Sequence, residues 1–259
     1  MSSAFDQLQT LEISQTALFL DFDGTLAPIV DRPELVQIAP RVLELVGQLH
    51  DRLDGALAII SGREIAVLDQ FLSPYKFPAS GVHGLEWRVS NSGILRRPIA
   101  ETSLASVLQN LERMAAQHSG ILVERKLGSI ALHYRARPDL RDACRLTVEK
   151  AVGGRDDLVT IDGKMVIEVK GHSGDKGMAI QTIMLKPPFR DKTPVFIGDD
   201  KTDEIGFGIV NALGGISIKV GTGETCATNL LNDTDDVAAW LRALTERRHL
   251  KTMRGSVTG

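Results

Sequence analysis

The sequence predicts an α/β fold: a parallel sheet covered by helices, with an α+β unit inserted in the middle of the chain. Two observations lead there. In the first and last thirds, short wholly apolar runs alternate with segments of helical periodicity, which is how strands buried on both faces and linked by crossover helices read. In the middle third the pattern changes to two copies of a helical segment followed by a pair of adjacent strands, αββαββ. At 259 residues the chain has room for a sizeable core and an insert.

Taken in order, residues 17–22 form the first apolar strand, 40–53 a helix, 56–60 a second strand and 64–72 a second helix. The grammar then changes. Residues 103–117 are helical, 121–126 and 129–135 are strands around Leu127-Gly128, and 139–152 are helical again. Residues 158–161 and 164–170 are expected to form a hairpin across Asp162-Gly163, a strong two-residue turn signal. The buried-strand pattern returns at 194–198 and 215–220, separated by a helix near 204–213, and a further helix is expected over 178–185. This gives a core of residues 1–101 and 173–246, an insert of 102–172, and a small, polar, basic tail at 247–259. The crossings fall near 98–102 and 171–174, where Pro, Gly and Ser replace periodic apolar residues.

Composition narrows the class of function. Hydrophobic residues make up 43% of the chain and charged residues 24%, with a net charge of −3. That balance gives no electrostatic footprint for nucleic acid or an anionic membrane. No apolar run approaches the roughly 20 residues needed to cross a bilayer, and the first residues are polar with no secretory core. The two cysteines, Cys144 and Cys226, have no pairing pattern and no metal-ligand spacing. Together these features predict a cytoplasmic protein. Oligomeric state is not readable, and a monomer is the default.

The chemistry-bearing residues follow the core strands. Asp21 and Asp23 stand two apart at a strand exit, so they point the same way, and Gly24 permits a sharp turn. Alone, the segment also reads as a strand ending in an Asp-Gly turn. After the second strand, Ser61-Gly62-Arg63 offers a hydroxyl and free amides to a phosphate, or an ordinary Ser helix cap. Lys176 precedes a helix and supplies a point charge suited to phosphate, or a solvated lysine. Gly198-Asp199-Asp200-Lys201-Thr202-Asp203-Glu204 packs four acids into seven residues after an apolar strand. Helix capping accounts for one or two of them; a hard cation relieves the rest.

These four motifs, in this order, resemble those of the haloacid dehalogenase (HAD) superfamily of phosphohydrolases, which implies a Rossmann-like core with a cap. By that resemblance Asp21 is the nucleophile that forms an aspartyl-phosphate, and Asp23 is the acid and then the base. Mg2+ would be held by Asp21, the Asp23 carbonyl and Asp199, with Asp200 and Asp203 behind them. Ser61 and Lys176 would cradle the phosphoryl oxygens.

Further segments sharpen the resemblance to the trehalose-6-phosphate phosphatases: Gly81-Val82-His83-Gly84-Leu85-Glu86, Val123-Glu124-Arg125-Lys126 and His133-Tyr134-Arg135. The implied substrate is a small sugar phosphate, trehalose 6-phosphate, and the implied reaction its hydrolysis to trehalose and phosphate. Its hydroxyls would meet Glu124, Lys126 and Glu168 on polar strands of the insert, with His83 and Glu86 on the core side; Phe22, Gly62, Arg63, His133 and Arg135 complete the implied substrate set. Other sugar phosphates carried by the same cap type, such as sucrose phosphate or a glycosyl phosphoglycerate, and a non-catalytic sensor are the alternatives. One departure stands out: Asp175 precedes Lys176 where the family often has Asn, which predicts unfavourable charge beside a phosphate site.

Overall fold

The computed structural model describes residues 2–8, 11–30, 35–89, 93–96, 101–126, 129–155, 157–163, 165–171 and 175–247. The chain runs β1 (Ser2–Ser3), α1 (Ala4–Leu8), β2 (Thr16–Leu20), α2 (Pro40–Arg52), β3 (Leu57–Ile60), α3 (Ile65–Phe71), β4 (Ala79–Gly81), β5 (Glu86–Arg88) and β6 (Leu95–Arg96). The middle contributes α4 (Glu101–Gln117), β7 (Leu122–Lys126), β8 (Ser129–His133), α5 (Arg141–Val152), β9 (Leu158–Gly163) and β10 (Val166–Gly171). The last part adds α6 (Lys176–Met184), β11 (Thr193–Gly198), α7 (Asp203–Ala212), β12 (Ile216–Val220), β13 (Asn229–Leu231) and α8 (Thr234–Glu246). Residues 1–95 with 174–259 form one compact unit, and residues 96–173 form another.

The first unit is built on a sheet ordered β1-β13-β12-β11-β2-β3-β4-β5-β6. The ladders from β1 through to β4 are parallel, and β5 returns antiparallel to β4. β2 and β3 are buried at every residue, as a central parallel strand must be when helices cover both faces. From β2 the chain steps one way to β3 and β4, and later the other way from β11 to β12 and β13. The gap between β2 and β11 is therefore the switch point where open α/β sheets place their sites. At the far edge the fully buried Trp240 of α8 donates its indole N–H to the Ala4 carbonyl of α1, 3.0 Å away.

The second unit is a four-stranded antiparallel sheet, ordered β7-β8-β10-β9, with α4 and α5 packed on it. Val107, Leu111, Cys144 and Val148 from the helices meet Leu132 and Val169 from the strands in its core. The αββαββ order is the predicted one. The hairpin turn is not at Asp162-Gly163: both lie within β9, Gly163 pairs with Val166, and Met165 takes the left-handed φ of 62°. Asp162 is held in the strand by Arg145 of α5, at 2.5 Å.

Other boundaries also move. β2 stops at Leu20 rather than residue 22, and β8 stops at His133, with Arg135 in the turn that follows. Most of the two expected crossings, and the tail beyond residue 247, lie outside the described residues. Among the described residues no helix is long and apolar enough to cross a membrane.

Candidate active site

Four carboxylates and two lysines converge at the carboxyl ends of β2, β11 and β12. Asp21 leaves β2 with its amide still bonded to the Ile197 carbonyl of β11, at 2.9 Å, so the sheet ladder itself sets its position. The chain then folds back, with the amides of Leu26 and Ala27 both reaching the Phe22 carbonyl. Gly24 sits at φ +79°, and a Cβ there would lie 2.0 Å from Asp199 Oδ2. Conformation and contact both demand glycine.

Lys176 is the buried hub. Its ammonium donates to Asp21 Oδ1 at 2.8 Å and to Asp203 Oδ1 at 2.7 Å, and Asp200 stands 3.9 Å away. The second oxygen of the fully buried Asp203 accepts the amides of Asp199 and Asp200, each at 3.0 Å. Asp203 thereby fixes both Lys176 and the acidic loop. Asp200 turns its carboxylate to the amides of Thr202 and Asp203 and the Thr202 hydroxyl, closing the first turn into α7.

The site is short of positive charge. Burial pushes the Asp21 carboxyl up to about 7, against the pull of Lys176. Burial, then the charge of Asp21, raises Asp203 to about 7; burial, then the charges of Asp203 and Asp200, raises Asp199 to about 6. Burial works against the Lys176 ammonium as well, but Asp21 and Asp203 outweigh it and hold its pKa above the ordinary lysine value. Asp21, Asp199 and Asp203 each offer an oxygen within 4.8 Å of the others, so the cluster could hold a metal ion. An all-oxygen, anion-rich donor set of this kind fits a hard divalent cation.

The loop after β3 adds Ser61 and Arg63. Ser61 is buried and does not cap α3: its hydroxyl accepts the Arg63 amide at 3.1 Å, and Glu64 holds the cap position. Arg63 grips Asp23 through two bonds, Nε to Oδ2 at 2.6 Å and Nη2 to Oδ1 at 2.7 Å. Its guanidinium also lies 5.1 Å from the Phe71 ring centre and 5.7 Å from that of Phe22.

Three expected roles change. Phe22 is fully buried, so its ring serves the core and not a ligand. Glu86 is buried too and accepts the Ile65 amide at 3.0 Å, capping α3 from β5. Asp175 is the N-cap of α6, accepting the Met178 amide at 2.7 Å; its charge meets a helix N-terminus, where it is favourable. The side chain of His83 lies outside the described residues. One group went unread in the sequence: Lys219, at the end of β12, donates its ammonium to the Asp199 carbonyl. A charged residue inside a largely buried strand was its only signal.

In the second unit, register decides which residues share a face. Glu124 and Glu168 both pair with Ala131 of β8, so all three point the same way, with two strand spacings, roughly 10 Å, between the acids. Lys126 pairs with Ser129 and falls on that face by register; its side chain is outside the described residues. His133 Nε2 is 2.9 Å from Glu124 Oε2, and the Ser129 hydroxyl donates to Glu168 at 2.6 Å. Val123, Ile130, Leu132, Ile167 and Val169 take the opposite, helix-covered face. Arg135 is exposed beyond the strand end.

Residues 19–236 match the family model described as trehalose-phosphatase. The chain is 40% identical over 238 residues to the trehalose-6-phosphate phosphatase of Escherichia coli strain K12, covering 92% of this chain and 90% of that protein. A probable trehalose-phosphate phosphatase of Sinorhizobium fredii is 35% identical, over 81% and 79% of the two chains. Among solved structures, Aspergillus fumigatus trehalose-6-phosphate phosphatase superposes with a TM-score of 0.74 at 25% identity, over 93% of this chain and 96% of that one.

Proposed function

Since the chain belongs to the trehalose-phosphatase family, a family of phosphoric monoester hydrolases, we propose that it hydrolyses trehalose 6-phosphate to trehalose and inorganic phosphate. The observation that carries the reading is the buried Asp21–Lys176–Asp203 array at the switch point, beside Asp199. With Oδ1 anchored on Lys176, the Asp21 carboxylate attacks phosphorus while the bond to the sugar oxygen breaks, giving an aspartyl-phosphate. Asp23 delivers a proton to the departing sugar oxygen. It then takes one from the water that attacks the same phosphorus, which releases phosphate and restores Asp21. Ser61 and Lys176 donate to the phosphoryl oxygens as charge spreads over them.

The cation in this reading is Mg2+, held by Asp21, Asp199 and the Asp23 carbonyl. When bound it neutralises phosphoryl charge. In this reading the sugar is recognised by Glu124, Glu168 and Lys126 of the second unit, two acceptors and a donor by residue type, suited to hydroxyls that need both. His133, Arg135 and His83 complete the set. A cytoplasmic setting suits the free thiols of Cys144 and Cys226.

Phosphate release from a panel of sugar phosphates, with and without Mg2+, tests the reading. Trehalose 6-phosphate should be the preferred substrate and chelation should stop turnover. Equal rates across the panel, or a preference for sucrose phosphate, would replace the assignment.

A further inference from the structure

Lys219 is 6% exposed, at the end of a strand that is otherwise Ile216, Ser217, Ile218 and Val220. A buried ammonium is retained only where something needs it, because removing it from water is costly. Its register opposite Gly198 brings it to the start of the acidic loop, and its ammonium ends on the Asp199 carbonyl. The Asp199 amide, on the other side of the same residue, is already tied to Asp203 Oδ2. Both backbone polar groups of Asp199 are therefore pinned, one by each partner. The carboxylate is left to swing only about its own side-chain bonds, against Gly24 and near Asp21.

We infer that Lys219 is the positioning residue for Asp199 and sets the affinity of the acidic site for its divalent cation. This rests on the reading above that Asp21 and Asp199 hold that cation. Two physical effects of the lysine oppose each other, and their signs separate the inference from its rival. As a bare charge Lys219 repels a cation, so its removal would tighten binding. As a clamp it preorganises a ligand, so its removal weakens binding; partners that orient metal ligands are typically worth 10–100-fold.

The experiment is a calorimetric titration of the full chain with Mg2+ alone, beside kcat and KM for trehalose 6-phosphate. Lys219→Met should weaken Mg2+ about tenfold and lower kcat by a similar factor at subsaturating Mg2+, with KM for the sugar phosphate nearly unchanged. Lys219→Arg, which keeps charge and donor, should recover most of both. A folded Lys219→Met that binds Mg2+ as well as the wild type, or better, overturns the inference. Should that variant fail to fold, Lys219→Gln takes its place under the same criterion. A wild-type chain that neither binds Mg2+ nor needs it removes the functional reading and this inference with it.

Discussion

Asp23 has both carboxylate oxygens bonded to Arg63, one bond to each, which fixes the orientation of the carboxylate and leaves each oxygen a second lone pair. Arg63 therefore orients the residue proposed as acid and base. Arg63→Met should lower kcat for a sugar phosphate by roughly 10–100-fold through misplacement of Asp23. An aryl phosphate, whose leaving group departs without a proton, should lose much less; equal losses on both substrates would contradict this role. Asp21→Asn should abolish turnover on either substrate while leaving the melting temperature close to that of the wild type, and retained turnover would refute the nucleophile. The acids at this scale were legible because their chemistry is written in adjacent residues. The partnership of Arg63 with Asp23, 40 residues away, and that of Lys219 with Asp199, 20 away, exist only once strands are ordered in a sheet.

Elements carry the next set of consequences. Asp175 caps α6, whose first residue is the hub Lys176. Asp175→Ala should destabilise the protein by about 1 kcal/mol, read as a loss of roughly 2–4 °C in melting temperature. Asp175→Asn should be nearly neutral, since both residues cap equally well, and a clear gain in activity with Asn would revive the charge-repulsion expectation. On the polar face of the second sheet, Glu124→Ala should cut kcat/KM for trehalose 6-phosphate at least tenfold and leave a small aryl phosphate within about twofold. The strands β2, β3 and β11 could be read directly from their runs of consecutive buried apolar residues, the mark of a strand covered on both faces, while β12 alternates Ile216, Ile218 and Val220 with Ser217 and Lys219. β13, three residues long and opening on Asn229, gives no such signal. The signal for α8 is present, an Asp233 cap followed by Val237, Trp240, Leu241 and Leu244 at helical spacing, but no chemical motif draws attention to it.

For the whole molecule, the acidic site couples folding to pH and to metal. An acid whose folded pKa stands above its unfolded one favours the folded state fully only below the unfolded value, near 4. The contribution is lost as pH rises through 6 to 7, where Asp199, Asp21 and Asp203 titrate. Metal-free protein should therefore lose stability from pH 5 to 8. Mg2+ competes with those protons and restores what their loss removes. At about 100 times its dissociation constant Mg2+ should raise the melting temperature by roughly 5–10 °C at pH 8, and by clearly less at pH 5. A Mg2+ increment independent of pH would show that the cation binds elsewhere.

How that melt is recorded matters. The chain has two tryptophans, Trp87 in β5 and Trp240, sealed between α8 and α1, and both belong to the first unit. The second unit has none; its aromatic reporter is the buried Tyr134. Tryptophan fluorescence is thus an optical label for the first unit alone, already installed by the sequence. A calorimetric transition without a fluorescence counterpart would be the second unit unfolding on its own.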